Sequence, residues 1–78
     1  MNKTERVRVG EIISKLEDVR QELEELSQEE QDKFDNLSEG LQQTEKGEEL
    51  SKGAEDFADF ARTLEELCGD LFNYLAWI

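Results

Sequence analysis

The sequence contains no proline, no histidine and a single cysteine, Cys68. Without a second thiol it forms no internal disulfide. Without histidine it cannot build a Cys/His metal site. Aromatic residues make up only 8%, and lysine and arginine number 9 against 21 aspartate and glutamate. The resulting net charge of −12 disfavours direct binding to a phosphate backbone, which depends on cationic side chains displacing counterions. It favours a basic protein partner and fast electrostatic encounter with it. No stretch approaches the roughly 20 apolar residues of a membrane span. The opening MNKTERVRVG is basic but has no apolar run behind it, unlike a secretory signal. With one free thiol, the expected location is the cytoplasm.

What is present fits long helices. Hydrophobic residues are 36% and charged residues 38% of 78, with many Glu, Gln, Lys and Leu, all good helix formers. A chain of this length makes one small domain with a marginal core. Such domains are reinforced by disulfides, metals or oligomerisation, and here oligomerisation is the addition left.

Two apolar seams run through the chain. In the first half Val9, Ile12, Leu16, Val19, Leu23 and Leu26 alternate spacings of three and four. That is a heptad pattern with 9, 16 and 23 at a and 12, 19 and 26 at d. The seam fails beyond Leu26. Ser27-Gln28-Glu29-Glu30 reads as a capping box, but Gln28 to Lys33 favour continuation of the helix. The cluster of Asn36, Ser38, Gly40, Thr44 and Gly47 reads as a loop. The second seam has Leu50, Phe57, Leu64, Leu71 and Ile78 at d, with Ala54, Ala61, Cys68 and Leu75 at a. Beside it Phe60, Leu67 and Tyr74 form another apolar line at g, and Phe72 and Trp77 widen the face.

The expected architecture is all-α: one domain over 1–78, with a helix over about 5–37, a loop over about 38–45 and a helix over about 46–77. The helices form an antiparallel hairpin. A single hairpin cannot cover so wide an apolar face, so two are expected to pack as a homodimeric four-helix bundle. Phe57, Phe60, Leu64, Leu67, Leu71, Phe72, Tyr74 and Trp77 are the expected oligomer or partner interface, with aromatics as its anchors.

Other motifs carry less. Asp35–Lys46 begins like a calcium loop but has Leu37 and Lys46 where ligands are required. Adjacent carboxylates such as Glu24–Glu25, Glu48–Glu49 and Glu65–Glu66 fall at outward positions, where a solvated face is the ordinary reading. Cys68, at a, reads as a small core residue. Gly53, at g, is expected to let a neighbouring helix approach closely, and Gly69 to allow a bend. Glu11–Lys15, Glu29–Lys33 and Glu48–Lys52 have the spacing of helical ion pairs. Most acids remain unneutralised, and Glu17, Glu24, Glu25, Glu29, Glu30 and Asp32 form the expected acidic partner surface. A dimer would spread its charge almost as densely as duplex DNA. No catalytic residue, metal or cofactor is expected.

The stretch EEQDKFDNLSEGLQQTEKGEEL over 29–50, followed by an Ala/Leu-rich helix, resembles small acidic helical proteins encoded by phages and prophages. That resemblance implies an accessory protein or an inhibitor of a basic host protein, such as a nucleic-acid-binding one, in the host cytoplasm, sometimes by DNA mimicry. The alternative is a structural subunit whose only partner is itself or one cognate chain. A membrane-surface role is disfavoured, because the apolar face lacks a Lys/Arg-rich flank.

Overall fold

The structure is a computed structural model and describes residues 1–77; Ile78, expected at the end of the second seam, lies outside the described residues. It is all-α: α1 spans Lys3–Asp35, α2 Glu39–Gln42 and α3 Glu45–Trp77. α1 begins where the Asn2 side chain accepts from the Glu5 amide at 2.8 Å, satisfying one of the donors left open at a helix start. It runs 33 residues without a proline to break it. Ser27 does not interrupt it. Its hydroxyl donates instead to the Ala54 carbonyl at 2.7 Å, so the polar group that might have capped a new helix is used across the seam. α1 stops two residues before the expected position, where the Asn36 amide donates to the Asp32 carbonyl and the Leu37 amide tightens back onto that of Phe34.

The connection expected as loop contains the short helix α2, capped by Ser38. Gln42 latches it to α1, because its side-chain amide donates to the carbonyls of Phe34 at 3.1 Å and Leu37 at 3.2 Å. Those carbonyls lie at and beyond the C-terminal end of α1, where carbonyls lack an intrahelical partner. Thr44 then caps α3, its hydroxyl accepting from the Gly47 amide at 3.4 Å. Glu45 and Glu48 lie in the first turn, favourably placed at the positive end of the helix.

α1 and α3 pack along their length. Ser27 meets Ala54, and the Cys68 thiol lies 4.0 Å from the Ile13 carbonyl, so the chain travels out along α1 and returns along α3. The result is a rod of 59 × 15 × 13 Å. Its core is thin. Gly47, Leu50, Ala54, Ala61 and Cys68 are the buried residues of α3, and α1 has none.

The seam of α1 departs from expectation. Val9, Ile13, Leu16, Arg20, Leu23, Ser27, Glu30 and Phe34, at a and e, are half-buried, together with Glu17 and Gln31 at b. The d residues Ile12, Val19 and Leu26 remain 47, 44 and 41% exposed. A two-helix pair has no centre, so α3 settles beside the a line rather than between a and d. This leaves d on the outside.

Candidate interaction surfaces

The rod has two unlike flanks. On one, α1's b and e positions meet α3's b and e positions. There Glu24, Ser27, Glu55, Ala58, Asp59, Ala61, Arg62 and Glu65 line an open groove of about 380 Å³. It is a groove because its floor is built of small residues, Ser27, Ala58 and Ala61. Its rim is largely carboxylate. A second groove continues it towards the turn, past Gln28, Gln31 and Ser51.

The opposite flank is apolar. The exposed d line of α1 (Ile12, Val19, Leu26) lies beside the half-buried Phe57, Leu64 and Leu71 of α3, with the g line beyond them. In that line Phe60, Leu67 and Tyr74 are 55, 44 and 55% exposed. The would-be Cβ of Gly53, which heads the line, stands 3.7 Å from Cγ of Glu30 in α1's a line. That contact places α3's g positions on the d side of α1.

Two residues assigned to the interface stand apart from the stripe. Phe72 follows Ala58 and Glu65 at seven-residue spacing, which puts it on the grooved flank. Trp77, 88% exposed, lies beyond the outer edge of the stripe. Gly53 is not a tight spot within the chain, because 3.7 Å is an ordinary contact; nor does anything crowd Gly69.

The six expected acidic residues are not brought together. Glu17 and Glu24 both bind Arg20, at 2.9 and 2.7 Å. The hydrogen bonds that the guanidinium donates to these carboxylates, Glu17 foremost, hold its pKa above the usual value. Glu25 and Asp32, at c, project from the back of α1, away from α3. Glu30 is half-buried and pairs with Lys33 at 3.4 Å, and Glu29 projects on the apolar side.

The expected ion pairs are replaced by others. Lys33 takes Glu30 rather than Glu29, and Lys52 takes Asp56 at 2.7 Å rather than Glu48. That hydrogen bond raises the Lys52 pKa. Arg62 pairs with Asp59, and Glu11–Lys15 is absent from the ion pairs among the described residues. Of the groove acids, Glu55 and Glu65 read from the sequence only as members of solvated carboxylate pairs and Asp59 not at all, because periodicity does not show that Ala58 opens a groove between them. Burial pushes the Cys68 thiol up from its ordinary value, and no group of three metal-ligating side chains forms among the described residues.

Neither a family model, nor a curated protein, nor a solved structure matches this chain. The functional reading therefore rests on the two flanks.

Proposed function

We propose that this is a non-enzymatic interaction protein. Two copies, each a helical hairpin, pack through their apolar flanks into a four-helix bundle. The acidic flanks, left outward, bind a basic protein surface, as an accessory or inhibitor of phage type would. The observation that carries this is the contrast between an exposed apolar stripe on one flank of a thin rod and a carboxylate-rimmed groove on the other.

Surface area supports the pairing. The chain exposes 5958 Å². A compact monomer of 9.1 kDa would expose about 4,900 Å² on the usual scaling. The excess of about 1,000 Å² compares with the roughly 800 Å² that each partner contributes to a standard interface. In a bundle, α1's a and d lines point together at the centre, so the d line that the lone chain exposes becomes core.

Charge supports the acidic role. A side-by-side dimer has twice the −12 of one chain over 59 Å, about one net charge per 2.5 Å. Duplex DNA has one per about 1.7 Å. This density suits a surface that competes with DNA for a basic protein.

The test is retention of a basic DNA-binding protein on the immobilised chain. Loss of the retained protein at high salt, displacement by duplex DNA and failure of Glu24→Gln/Glu55→Gln/Glu65→Gln to retain it are the expected results. Binding that survives high salt but is lost on Trp77→Ala would favour the alternative, an assembly subunit recognised through apolar contacts. The isolation and 88% exposure of Trp77 are what speak for that alternative.

A further inference from the structure

The apolar flank has a charged edge whose order fixes how a second copy must sit on it. Along α1's g line the residues are Arg8, Lys15, Glu22 and Glu29: two bases towards the chain start and two acids towards the turn. All four are exposed, and none takes part in an ion pair within the chain among the described residues. Along α3's g line Lys46 stands at the turn, followed by Gly53, Phe60, Leu67 and Tyr74. We infer that the flank is covered by a second copy lying end over end, α1 against α1 and α3 against α3, with the two turns at opposite ends of the bundle. This rests on the dimer reading given above and specifies its symmetry.

Only two face-to-face twofold arrangements exist for such a rod. In one, the turns share an end and α1 lies over the partner's α3. Arg8, Lys15, Glu22 and Glu29 would then face the partner's Tyr74, Leu67, Phe60 and Gly53, setting every charge against the apolar line. In the other, the turns are at opposite ends. Arg8 then faces the partner's Glu29 and Lys15 faces the partner's Glu22, with the same pairs repeated by symmetry. Phe60 faces the partner's Leu67, and Tyr74 faces the space left by the partner's Gly53. Charges meet opposite charges and apolar residues meet apolar residues.

The charged line of α1 sets where the axis passes, and the stretch of α3 from Gly53 to Tyr74 meets it there. The charged line of α1 is centred between Asp18 and Val19. The apolar line of α3 is centred between Thr63 and Leu64. Within the chain, the contacts Ser27–Ala54 and Glu30–Gly53 set α1 and α3 so that these midpoints lie side by side. One twofold axis therefore serves both lines, as an isologous interface requires.

Two measurements test this, with the oligomeric mass from sedimentation equilibrium as reference. First, a spin label is placed at Gly40→Cys in a Cys68→Ala background; nothing lies within 4 Å of a Cβ at Gly40, so the label costs no contact. The end-over-end dimer gives a label separation close to the 59 Å rod length, whereas turns sharing an end give about two helix diameters, roughly 20 Å. Second, chains with Arg8→Glu/Lys15→Glu are mixed with chains with Glu22→Lys/Glu29→Lys. The first then has an all-acidic line and the second an all-basic one, and the mixed dimer is expected to outcompete both self-dimers by about tenfold or more. A dimer with a short separation, or with no preference for mixing, overturns the end-over-end arrangement and leaves the dimer standing. A monomer at every concentration overturns both.

Discussion

At Gly47 the backbone leaves no room for a side chain. A Cβ there would collide with the Gln42 carbonyl oxygen and come within 2.6 Å of its carbon, both backbone atoms that cannot swing aside. Alanine is better than glycine in a helix by about 1 kcal/mol, but overpacking costs roughly 1–3 kcal/mol or more. Gly47→Ala is therefore expected to destabilise the protein, while Gly69→Ala, which meets nothing within 4 Å, should stabilise it by about 1 kcal/mol; urea unfolding compares the two. Cys68 makes a second residue-scale prediction. Burial favours its protonated form, raising its pKa in the folded chain above the ordinary 9.0. Its contribution to stability is full below the unfolded pKa and declines as pH rises through the folded one. Unfolding midpoints at neutral and alkaline pH should show that decline in the native chain and a shallower one in Cys68→Ala. Cys68 was legible as a small core residue from its place in the seam. Gly47 was legible only as a glycine where the loop gives way to the second helix, because what crowds it is the carbonyl of Gln42, whose place beside α3 the sequence did not reveal.

At the scale of the element, periodicity showed which stripes are apolar but not which neighbour covers each. α3 matched the reading along its a line, where Ala54, Ala61 and Cys68 are buried. α1 turned by about half a position, so that Arg20 and Ser27, polar residues outside the a/d seam, face α3. Both are accommodated by partners that a heptad count does not see: two carboxylates of the same helix for Arg20 and a carbonyl of α3 for Ser27. The residues displaced outward are Ile12, Val19 and Leu26. Replacing all three by glutamine is expected to lower the melting temperature and to remove its dependence on protein concentration, because a dissociating dimer melts higher when concentrated. A melting temperature unaltered by the three changes would mean that nothing covers the line.

For the whole molecule, charge and shape act together. A rod 13 Å thin with a net charge of −12 repels itself along its length, and pairing two such rods increases the repulsion. Raising the salt concentration from low values to about 0.5 M shortens the screening length several-fold. It should therefore raise the melting temperature, even though it weakens individual ion pairs such as Lys52–Asp56 at 2.7 Å. Thermal unfolding followed by circular dichroism across a salt series checks this, and a falling melting temperature would show that local pairs outweigh the overall repulsion.

The latch that Gln42 makes on the carbonyls of Phe34 and Leu37 also bears on the order of folding. Its contacts span eight residues or fewer, whereas Ile13 and Cys68 are 55 residues apart. Closing a short loop costs less chain entropy than closing a long one, so the turn forms first and the two helices zip together away from it. Gln42→Ala should accordingly slow refolding, and Cys68→Ala should mainly speed unfolding. The ends of the rod opposite the turn are then the last to join and the first to part.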